Sequence, residues 1–274
     1  HPRLQDQGSP VPAMTTIALA QVAGGRGDPD AAARMAEEAA AAGASLICFP
    51  EQFITGWSPE IPPGAGEPLD GPLTAAFSEI AKKNRIAVVG SIIEAGQGGR
   101  PRNTTVVLGP GGDILAAYAK IHLFSPGGED RYYTAGDRIA TFTVDGTTFG
   151  LAVCYDLRFP ELFRIYALAG AECVLVPAAW PCCRVRHWET LLPARALENR
   201  YYVAGVNTAG GPDGVYCGGS LAADPDGAVI ARAGAGEEPL FVKLDPAAVH
   251  AAQKSLPSLS DRRSDLYHRL LSSL

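Results

Sequence analysis

The sequence has no excess of basic residues and no long uninterrupted hydrophobic run. Its 274 residues include 23 Lys and Arg against 29 Asp and Glu, which gives a formal net charge of −6 and an isoelectric point near 5.4. Because a nucleic-acid-binding surface needs clustered basic side chains, this balance argues against a nucleic-acid partner. The most apolar helical stretch, residues 31–48, is interrupted by Arg34, Glu37 and Glu38. We therefore expect a soluble globular chain with no membrane partner.

The cysteines follow no metal-binding or disulfide pattern. Six are present without any C-x-x-C spacing, and only five histidines accompany them. Most of the cysteines lie in or beside apolar runs, where a free thiol packs as a small hydrophobic side chain. We therefore predict no metal site and no disulfide framework, and we expect a reducing, cytoplasmic location.

The N-terminus carries no signal pattern of basic residues followed by an apolar run. Residues 1–13 are polar and proline-rich, and they precede Met14. We interpret them as a disordered leader or an expression remnant. No linker and no internal repeat of fixed period divides the remainder, so we predict a single domain over residues 14–274.

Short apolar runs bounded by turn residues alternate with helical patterns along the chain. The predicted strands cover residues 17–22, 45–49, 86–93, 104–108, 114–119, 139–144, 147–153, 173–176, 202–206, 215–222, 229–231 and 240–244. The predicted helices cover residues 29–43, 70–84, 159–169 and 187–199, with Asp28 as N-cap of the first and a final short helix opened by Asp245-Pro246. Two sheet layers flanked by helices satisfy this count, so we predict an α/β sandwich, with a single doubly wound sheet as the alternative.

Three reactive side chains stand directly after predicted strands. Glu51 follows SLICFP, Lys120 follows ILAAYA, and Cys154 follows TFGLAV. Strand ends commonly carry functional residues because a rigid sheet fixes the side chains there. The succession of strand, turn and helix around Cys154 is also that of a nucleophile elbow.

A thiol, a carboxylate and an ammonium group together supply the parts of an acyl-transfer site. A thiol with a reference pKa of about 8.5 needs a base or a nearby cation, and Glu51 is the candidate base for Cys154. Lys120 would stabilise the thiolate and the oxyanion, and the Tyr155 backbone N–H is a second candidate oxyanion donor. Each residue alone also has a structural interpretation, as a packed thiol or a solvated charge, and spacing does not decide between the two.

The local contexts of these residues resemble the carbon–nitrogen hydrolase, or nitrilase, superfamily. The matching segments, in the family's order of Glu, Lys and Cys, are CFPEQFITGW (48–57), YAKIHLF (118–124) and GLAVCYDLRFPELFR (150–164). The resemblance covers about residues 14–267 and implies a four-layer α-β-β-α sandwich that forms a homodimer or higher homo-oligomer. It implies Glu51 as general base, Lys120 as oxyanion-stabilising cation and Cys154 as nucleophile, and we expect no cofactor.

The resemblance also implies a second glutamate that orients the lysine and the substrate amine. Within GEDRYYTAGD (128–137), Glu129 stands in the matching place. Asp130 is the alternative if the register is shifted by one residue.

The residues after the nucleophile distinguish branches of the family. Cys154-Tyr155-Asp156 differs from the Cys-Trp-Glu of true nitrilases and is similar to the Nit-type amidase or omega-amidase branch. This resemblance implies hydrolysis of a small carboxamide to a carboxylate and ammonia through a Cys154 thioester. An N-carbamoyl amidohydrolase or a nitrilase on the same fold is the alternative, and a catalytically idle binding protein is the rival of a different class.

Candidate substrate-binding residues flank the predicted nucleophile and the loop after strand 173–176. They are Tyr155, Trp180 and either Arg184 or Arg186, of which we select Arg184. An arginine in this loop would bind an acidic substrate in a bidentate manner.

Two other groups have competing interpretations. Arg158 and Glu161 lie on the first turn after the nucleophile, where we favour a structural ion pair over recognition of a substrate carboxylate. The vicinal pair Cys182-Cys183 is interpreted as loop filler, with a redox element as the alternative.

Overall fold

The computed structural model describes residues 14–24, 29–62, 64–211 and 214–273. The predicted leader over residues 1–13 and the predicted N-cap Asp28 lie outside the described residues. Within the described ranges, no helix combines the length and the apolar character that a membrane crossing requires.

The strands form two six-stranded sheets and one two-stranded sheet in the described part of the chain. In chain order they are β1 (Thr15–Gln21), β2 (Leu46–Cys48), β3 (Ala87–Glu94), β4 (Arg102–Leu108), β5 (Ile114–Ala119), β6 (Thr141–Val144), β7 (Thr147–Leu151), β8 (Cys173–Ala178), β9 (Tyr202–Asn207), β10 (Ala209–Gly210), β11 (Tyr216–Cys217), β12 (Leu221–Ala223), β13 (Val229–Arg232) and β14 (Glu238–Leu244). The first large sheet has the order β14-β1-β2-β3-β4-β5 and the second has the order β13-β12-β9-β8-β7-β6.

The helices lie in the connections between strands and at the C-terminus. In chain order they are α1 (Pro29–Ala41), α2 (Pro72–Asn84), α3 (Glu129–Tyr132), α4 (Pro160–Leu168), α5 (Val185–Asn199), α6 (Pro246–Ser255) and α7 (Ser264–Leu271). Short 3₁₀ turns cover Gln97–Gly99, Ser125–Gly127, Cys154–Arg158 and Cys182–Arg184.

Strand direction brings several strand ends to common edges. β1, β2 and β3 are parallel, and β4 is antiparallel to both β3 and β5, so β2 and β5 run in the same direction. In the second sheet β7, β8 and β9 are parallel. The residues that follow these strands therefore emerge at one edge of each sheet, where ligands bind in many α/β proteins.

The two large sheets pack face to face and carry helices on their outer faces. Ile17 and Leu19 of β1 belong to the core that the two sheets share. Ala18 and Ala20 of the same strand pack instead with residues of α1 and α2, because successive side chains of a strand point to opposite faces. The predicted four-layer α-β-β-α sandwich is confirmed, and the alternative of a single doubly wound sheet is wrong.

Glycines in two central strands let the outer helices approach the second sheet closely. A Cβ atom on Gly205 of β9 would lie 2.5 Å from the ring of Trp188 on α5. A Cβ atom on Gly150 of β7 would lie 2.5 Å from the ring of Tyr166 on α4. Both aromatic side chains are fully buried, so the helix that follows Cys154 is fixed against the sheet.

Two predictions about the C-terminal third of the chain are wrong. The predicted strand over residues 215–222 is divided into β11 and β12, because Gly218 and Gly219 between them adopt positive φ angles of 61° and 73° that turn the chain. β11 then pairs with β10 instead of extending the second sheet. The helix that Asp245 caps is also not the final one, since α7 follows it.

Candidate active site

Glu51, Lys120 and Cys154 are brought together by the strand ends. Glu51 lies just beyond β2, Lys120 directly follows β5, and Cys154 lies just beyond β7. The Lys120 Nζ atom is 2.9 Å from Glu51 Oε1, and the Cys154 thiol lies close enough to both groups for them to shift its pKa. The three side chains that the sequence singled out therefore form one contiguous cluster.

Lys120 is a buried cation between two carboxylates. Its Nζ donates to Glu51 Oε1 at 2.9 Å and to Glu129 Oε2 at 2.8 Å, and all three side chains are almost inaccessible to solvent. Burial alone would lower the pKa of Lys120, but the two carboxylates outweigh it and raise the pKa above its ordinary value. Burial likewise opposes ionisation of Glu129, yet Lys120 holds the pKa of Glu129 below its ordinary value. Lys120 is thus a fixed positive charge.

Glu129 is the glutamate that faces the cluster, whereas its neighbour Asp130 is exposed. Glu129 is the first residue of α3, and its Oε2 atom also accepts the backbone N–H of Phe124 at 2.6 Å. This bond fixes the carboxylate to the loop that follows Lys120. Of the two acidic residues considered for this place, Glu129 is therefore the one that contacts Lys120.

Asn103 belongs to the same cluster and was missed by sequence reasoning. Its Nδ2 atom donates to Glu51 Oε1 at 2.7 Å and to Glu129 Oε1 at 3.0 Å, so one amide spans both carboxylates. The available signal was a wholly polar side chain near the start of β4, a strand whose other end is apolar. The backbone N–H of Ala179, just beyond β8, completes the set by donating to Glu51 Oε2 at 3.1 Å.

Cys154 occupies a sharp backbone turn. Its φ angle is +46°, in the left-handed region that L residues other than Asn and Asp seldom adopt. Burial and the negative charge of Glu51 raise the pKa of the Cys154 thiol well above its ordinary value, and Lys120 offsets them only in part. In the free protein the sulfur is therefore a protonated thiol beside a carboxylate.

Asp156 holds this turn in place. Its Oδ2 atom accepts the backbone N–H of Val153 at 2.8 Å and the hydroxyl of Tyr118 at 2.7 Å. Its Oδ1 atom accepts the backbone N–H of His122 at 2.9 Å and contacts the His122 ring at 2.7 Å. One buried carboxylate therefore ties the strand end before Cys154 to the segment around Lys120, and His122 is engaged here and not with the thiol.

A cavity of about 180 Å³ opens directly above Cys154 and Lys120. Tyr155, Trp180 and Arg184, the three predicted substrate-binding residues, all line it. Its remaining walls are largely aromatic or apolar, and the residues that contribute them are Trp57, Phe124, Ala179, Pro181, Val215 and Tyr216. The cavity is smaller than the roughly 300–1,000 Å³ of sites for drug-sized ligands, so it fits a small acyl group.

Tyr216 is a lining residue that the sequence did not indicate. Burial, with a smaller electrostatic contribution from Glu51 and Cys154, raises its pKa to about 12. The side chain is brought to the cavity by β11, the strand that the two glycine turns detach from the second sheet.

Trp180 is anchored from behind. Its backbone N–H donates to Asn207 Oδ1 at 2.7 Å, and its indole Nε1 donates to the Arg184 carbonyl at 2.8 Å. Asn207 in turn receives support from Ser220, whose Oγ accepts the Asn207 backbone N–H at 2.9 Å. The aromatic wall of the cavity is therefore rigidly held.

Two guanidinium groups line the cavity. The Arg158 guanidinium carbon lies 4.9 Å from the Trp180 ring centroid, and that of Arg184 lies 5.5 Å from the Phe124 ring centroid. Within the described chain, no carboxylate lies within 4.0 Å of either group. The predicted ion pair of Arg158 with Glu161 is therefore wrong, because Arg158 turns towards Trp180 and the cavity. Arg186, the alternative to Arg184, is exposed and does not line it.

The described residues contain no group of three or more His, Cys, Asp or Glu side chains arranged to hold a metal ion. All six cysteines are free thiols. Of these, Cys182 is partly buried and follows the cavity-lining residue Pro181, whereas Cys183 is exposed.

The chain matches characterised proteins over most of its length. The model of the carbon–nitrogen hydrolase family matches residues 17–254. The chain is 35% identical over 246 residues to omega-amidase NIT2 of Mus musculus, which covers 86% of this chain and 89% of that protein. It is 34% identical over 227 residues to 2-oxoglutaramate amidase of Bacillus subtilis (strain 168), which covers 82% of this chain and 87% of that protein.

A solved structure gives the same relationship in three dimensions. It is a variant of the amidase from Nesterenkonia sp. AN1 with the acetamide moiety of fluoroacetamide covalently added at the active-site cysteine. It has a TM-score of 0.81 and 30% identity, and the match covers 96% of this chain and 99% of that chain. The predicted amidase resemblance is confirmed, and the nitrilase, carbamoylase and idle-binding alternatives are not favoured. The chain belongs to the carbon–nitrogen hydrolase family and is an enzyme that cleaves the C–N bond of amides.

Proposed function

We propose that this amidase uses Cys154 as nucleophile, Glu51 as general base and Lys120 as oxyanion-stabilising cation, and that its substrate is the ω-amide of a small dicarboxylic acid. The observation that carries the proposal is a cluster at the floor of a small cavity, in which Lys120 is hydrogen-bonded to Glu51 and Cys154 lies beside both, with two guanidinium groups in the cavity wall. The floor of this cavity holds the proposed reacting groups, and its wall holds the arginines that we propose select the substrate.

Acylation begins when the Cys154 thiol transfers its proton to Glu51 and the sulfur attacks the amide carbon. The carbonyl oxygen becomes an oxyanion, which the Lys120 ammonium and the Tyr155 backbone N–H stabilise. Glu51 returns the proton to the amide nitrogen as the C–N bond breaks. Ammonia leaves, and the acyl group remains on sulfur as a thioester.

Deacylation uses the same groups in the reverse sense. Glu51 takes a proton from water, and the hydroxide attacks the thioester carbon. The second tetrahedral intermediate breaks its C–S bond, the sulfur recovers a proton from Glu51, and the carboxylate product is released. Glu129 and Asn103 act as positioning residues, because they hold the Lys120 ammonium and the Glu51 carboxylate without reaching the sulfur.

Replacement of the nucleophile or the base should abolish turnover without unfolding the protein. For Cys154→Ala and Glu51→Gln we expect kcat to fall by roughly 10³-fold or more, since each removes a member of a unit that acts together. The control is Cys183→Ala, which removes an exposed thiol outside the cluster. Ammonia release and circular dichroism provide the measurements. A Cys154→Ala variant that retains most of its activity would exclude the thioester route.

Loss of the Glu51 charge should make the sulfur easier to ionise even though the enzyme becomes inactive. Because Glu51 raises the pKa of the Cys154 thiol, Glu51→Gln should lower the pH at which the thiolate forms. The measurement is the ultraviolet absorbance of the thiolate against pH. The absorbance of Cys154→Ala is subtracted from that of the wild type, and the absorbance of the Glu51→Gln, Cys154→Ala double variant from that of Glu51→Gln, so that only this sulfur contributes. An unchanged or higher midpoint would contradict the proposed coupling of the two groups.

The substrate proposal rests on the charge and the size of the cavity. Two relatives are an omega-amidase and a 2-oxoglutaramate amidase, and the latter name denotes a monoamide that keeps a free carboxylate. Arg158 and Arg184 supply positive charge without a described acidic partner, and guanidinium groups bind carboxylates through paired N–H donors. A short acid amide can therefore direct its amide to Cys154 and its carboxylate to the arginines.

Arg184→Met should separate acidic from neutral substrates. With glutaramate we expect KM to rise about tenfold, equivalent to about 1.4 kcal/mol of lost binding. With pentanamide, a neutral chain of the same length, KM should stay unchanged. Arg186→Met is the matched control, since it removes the same charge from an exposed position nearby. Equal effects of Arg184→Met on both substrates would contradict recognition of a carboxylate.

We also propose that the protein is a homodimer in the reducing cytoplasm. Six free thiols agree with a reducing compartment. Large apolar side chains on the outer helices remain exposed, with Ile165 at 47%, Leu168 at 54% and Leu197 at 50%. α4 and α5 pack beside each other, so these side chains give the outer layer an apolar surface suited to a second copy.

Placement of a charge on that surface should break the dimer. Leu168→Asp should halve the mass in solution, because an interface cannot solvate an isolated carboxylate. Leu115→Asp, on the edge strand β5 of the other sheet, is the control and should leave the mass unchanged. Light scattering after size-exclusion chromatography gives the mass. A monomeric wild-type protein, or a Leu168→Asp variant that stays dimeric, would contradict this interface.

A further inference from the structure

The lip of the cavity is a small antiparallel ribbon formed by two separate segments. Pro181 and Tyr216 face each other across it, and the Cys182 backbone N–H donates to the Val215 carbonyl at 2.9 Å. Pro181, Val215 and Tyr216 line the cavity. The ribbon is therefore part of the wall against which the acyl group of a substrate packs.

A pair of thiols lies beside this ribbon. The residues that follow Pro181 and Tyr216 are Cys182 and Cys217, so the pairing of Pro181 with Tyr216 brings the two cysteines to nearby positions on the two segments. The two thiols do interact, and burial together with a hydrogen bond that the Cys217 thiol donates to Cys182 raises the pKa of Cys217 to about 11.

Cys183, the neighbour of Cys182 in the chain, is placed differently from Cys182. Cys183 is exposed, whereas the Cys182 Sγ atom turns towards the Gly214 carbonyl at 3.5 Å and towards Cys217. The sequence alone pairs Cys182 with Cys183, but the fold gives Cys182 a partner that is distant in the chain.

We propose that Cys182 and Cys217 form a reversible disulfide that restrains the lip of the cavity and lowers activity. This modification site lies outside the catalytic cluster and does not depend on the roles assigned to Glu51, Lys120 and Cys154. Only its effect on turnover draws on the proposed function.

The chemistry requires a hydroperoxide as oxidant. The Cys182 thiol attacks the peroxide oxygen, which gives a sulfenic acid and releases an alcohol or water. The Cys217 thiol then attacks the Cys182 sulfur, an S–S bond forms, and water leaves. Two thiols are oxidised, one hydroperoxide is reduced, and an external dithiol restores both thiols. Cys182 is the thiol that reacts with the peroxide first, because the raised pKa keeps Cys217 protonated.

The bond would act on the substrate site through the backbone. A disulfide holds two sulfur atoms much closer than contacting thiols, so the two segments of the ribbon must shift together. Tyr216 and Arg184 move with them, and a shift of roughly 1 Å in a catalytic site reduces rates by up to 10²-fold. We expect kcat/KM to fall by about tenfold on oxidation.

The test treats the whole protein with hydrogen peroxide, blocks the remaining thiols and maps disulfide-linked peptides by mass spectrometry. The expected result is a Cys182–Cys217 link that dithiothreitol removes. A link between Cys182 and Cys183, a link to Cys154, or no link at all would overturn the proposal. Because the peptide mapping does not depend on turnover, it tests the disulfide independently of the proposed amidase reaction. Either proposal can therefore fail while the other stands.

Activity measurements connect the bond to its effect. Wild-type protein should lose activity with peroxide and recover it with dithiothreitol, and Cys183→Ser should behave in the same way. Cys217→Ser should have normal activity before oxidation, and peroxide should cause no loss of activity that dithiothreitol reverses. A reversible loss of the same size in Cys217→Ser would overturn the regulatory role, because it would assign the oxidation to another thiol.

Discussion

The arrangement of the whole site depends on one ammonium group enclosed by two carboxylates. Lys120 is buried, and its charge persists there only because Glu51 and Glu129 offset the loss of solvation. Each carboxylate is also held by other donors, from Asn103, the Ala179 backbone and the Phe124 backbone. The Lys120 ammonium and the Glu51 carboxylate therefore have fixed positions before any substrate arrives, which is the condition for electrostatic stabilisation of a transition state.

The two sheets contribute different parts of this arrangement. The segments after strands of the first sheet supply Glu51 and Lys120, while those after strands of the second supply Cys154 and Trp180. Asp156 joins the two, since it binds the backbone before Cys154 and the segment after Lys120 at once. The distance between the Cys154 sulfur and the Lys120 ammonium is thus set by a buried hydrogen-bonded carboxylate and by the packing of one sheet on the other.

The reactive residues could be predicted because each follows its own strand in a recognisable local context, as Glu51 and Cys154 do. Asn103 could not, because its role comes from contacts with carboxylates 52 and 26 positions away in the chain. Tyr216 was missed because the predicted strand continued through Gly218 and Gly219, whose positive φ angles the sequence permits but does not require. Arg158 was assigned to a local ion pair because neighbouring opposite charges are visible in sequence and an aromatic ring across a cavity is not.

The unequal charge of the buried cluster has a consequence for release of the product. Two carboxylates surround one ammonium, so in the proposed mechanism the floor of the cavity is formally negative by one charge once Glu51 has returned its proton. A neutral amide meets no repulsion there, but hydrolysis creates a new anion beside Glu51. Like charges in a poorly solvated space repel strongly. This repulsion would favour dissociation of the carboxylate product, which frees the enzyme for another cycle.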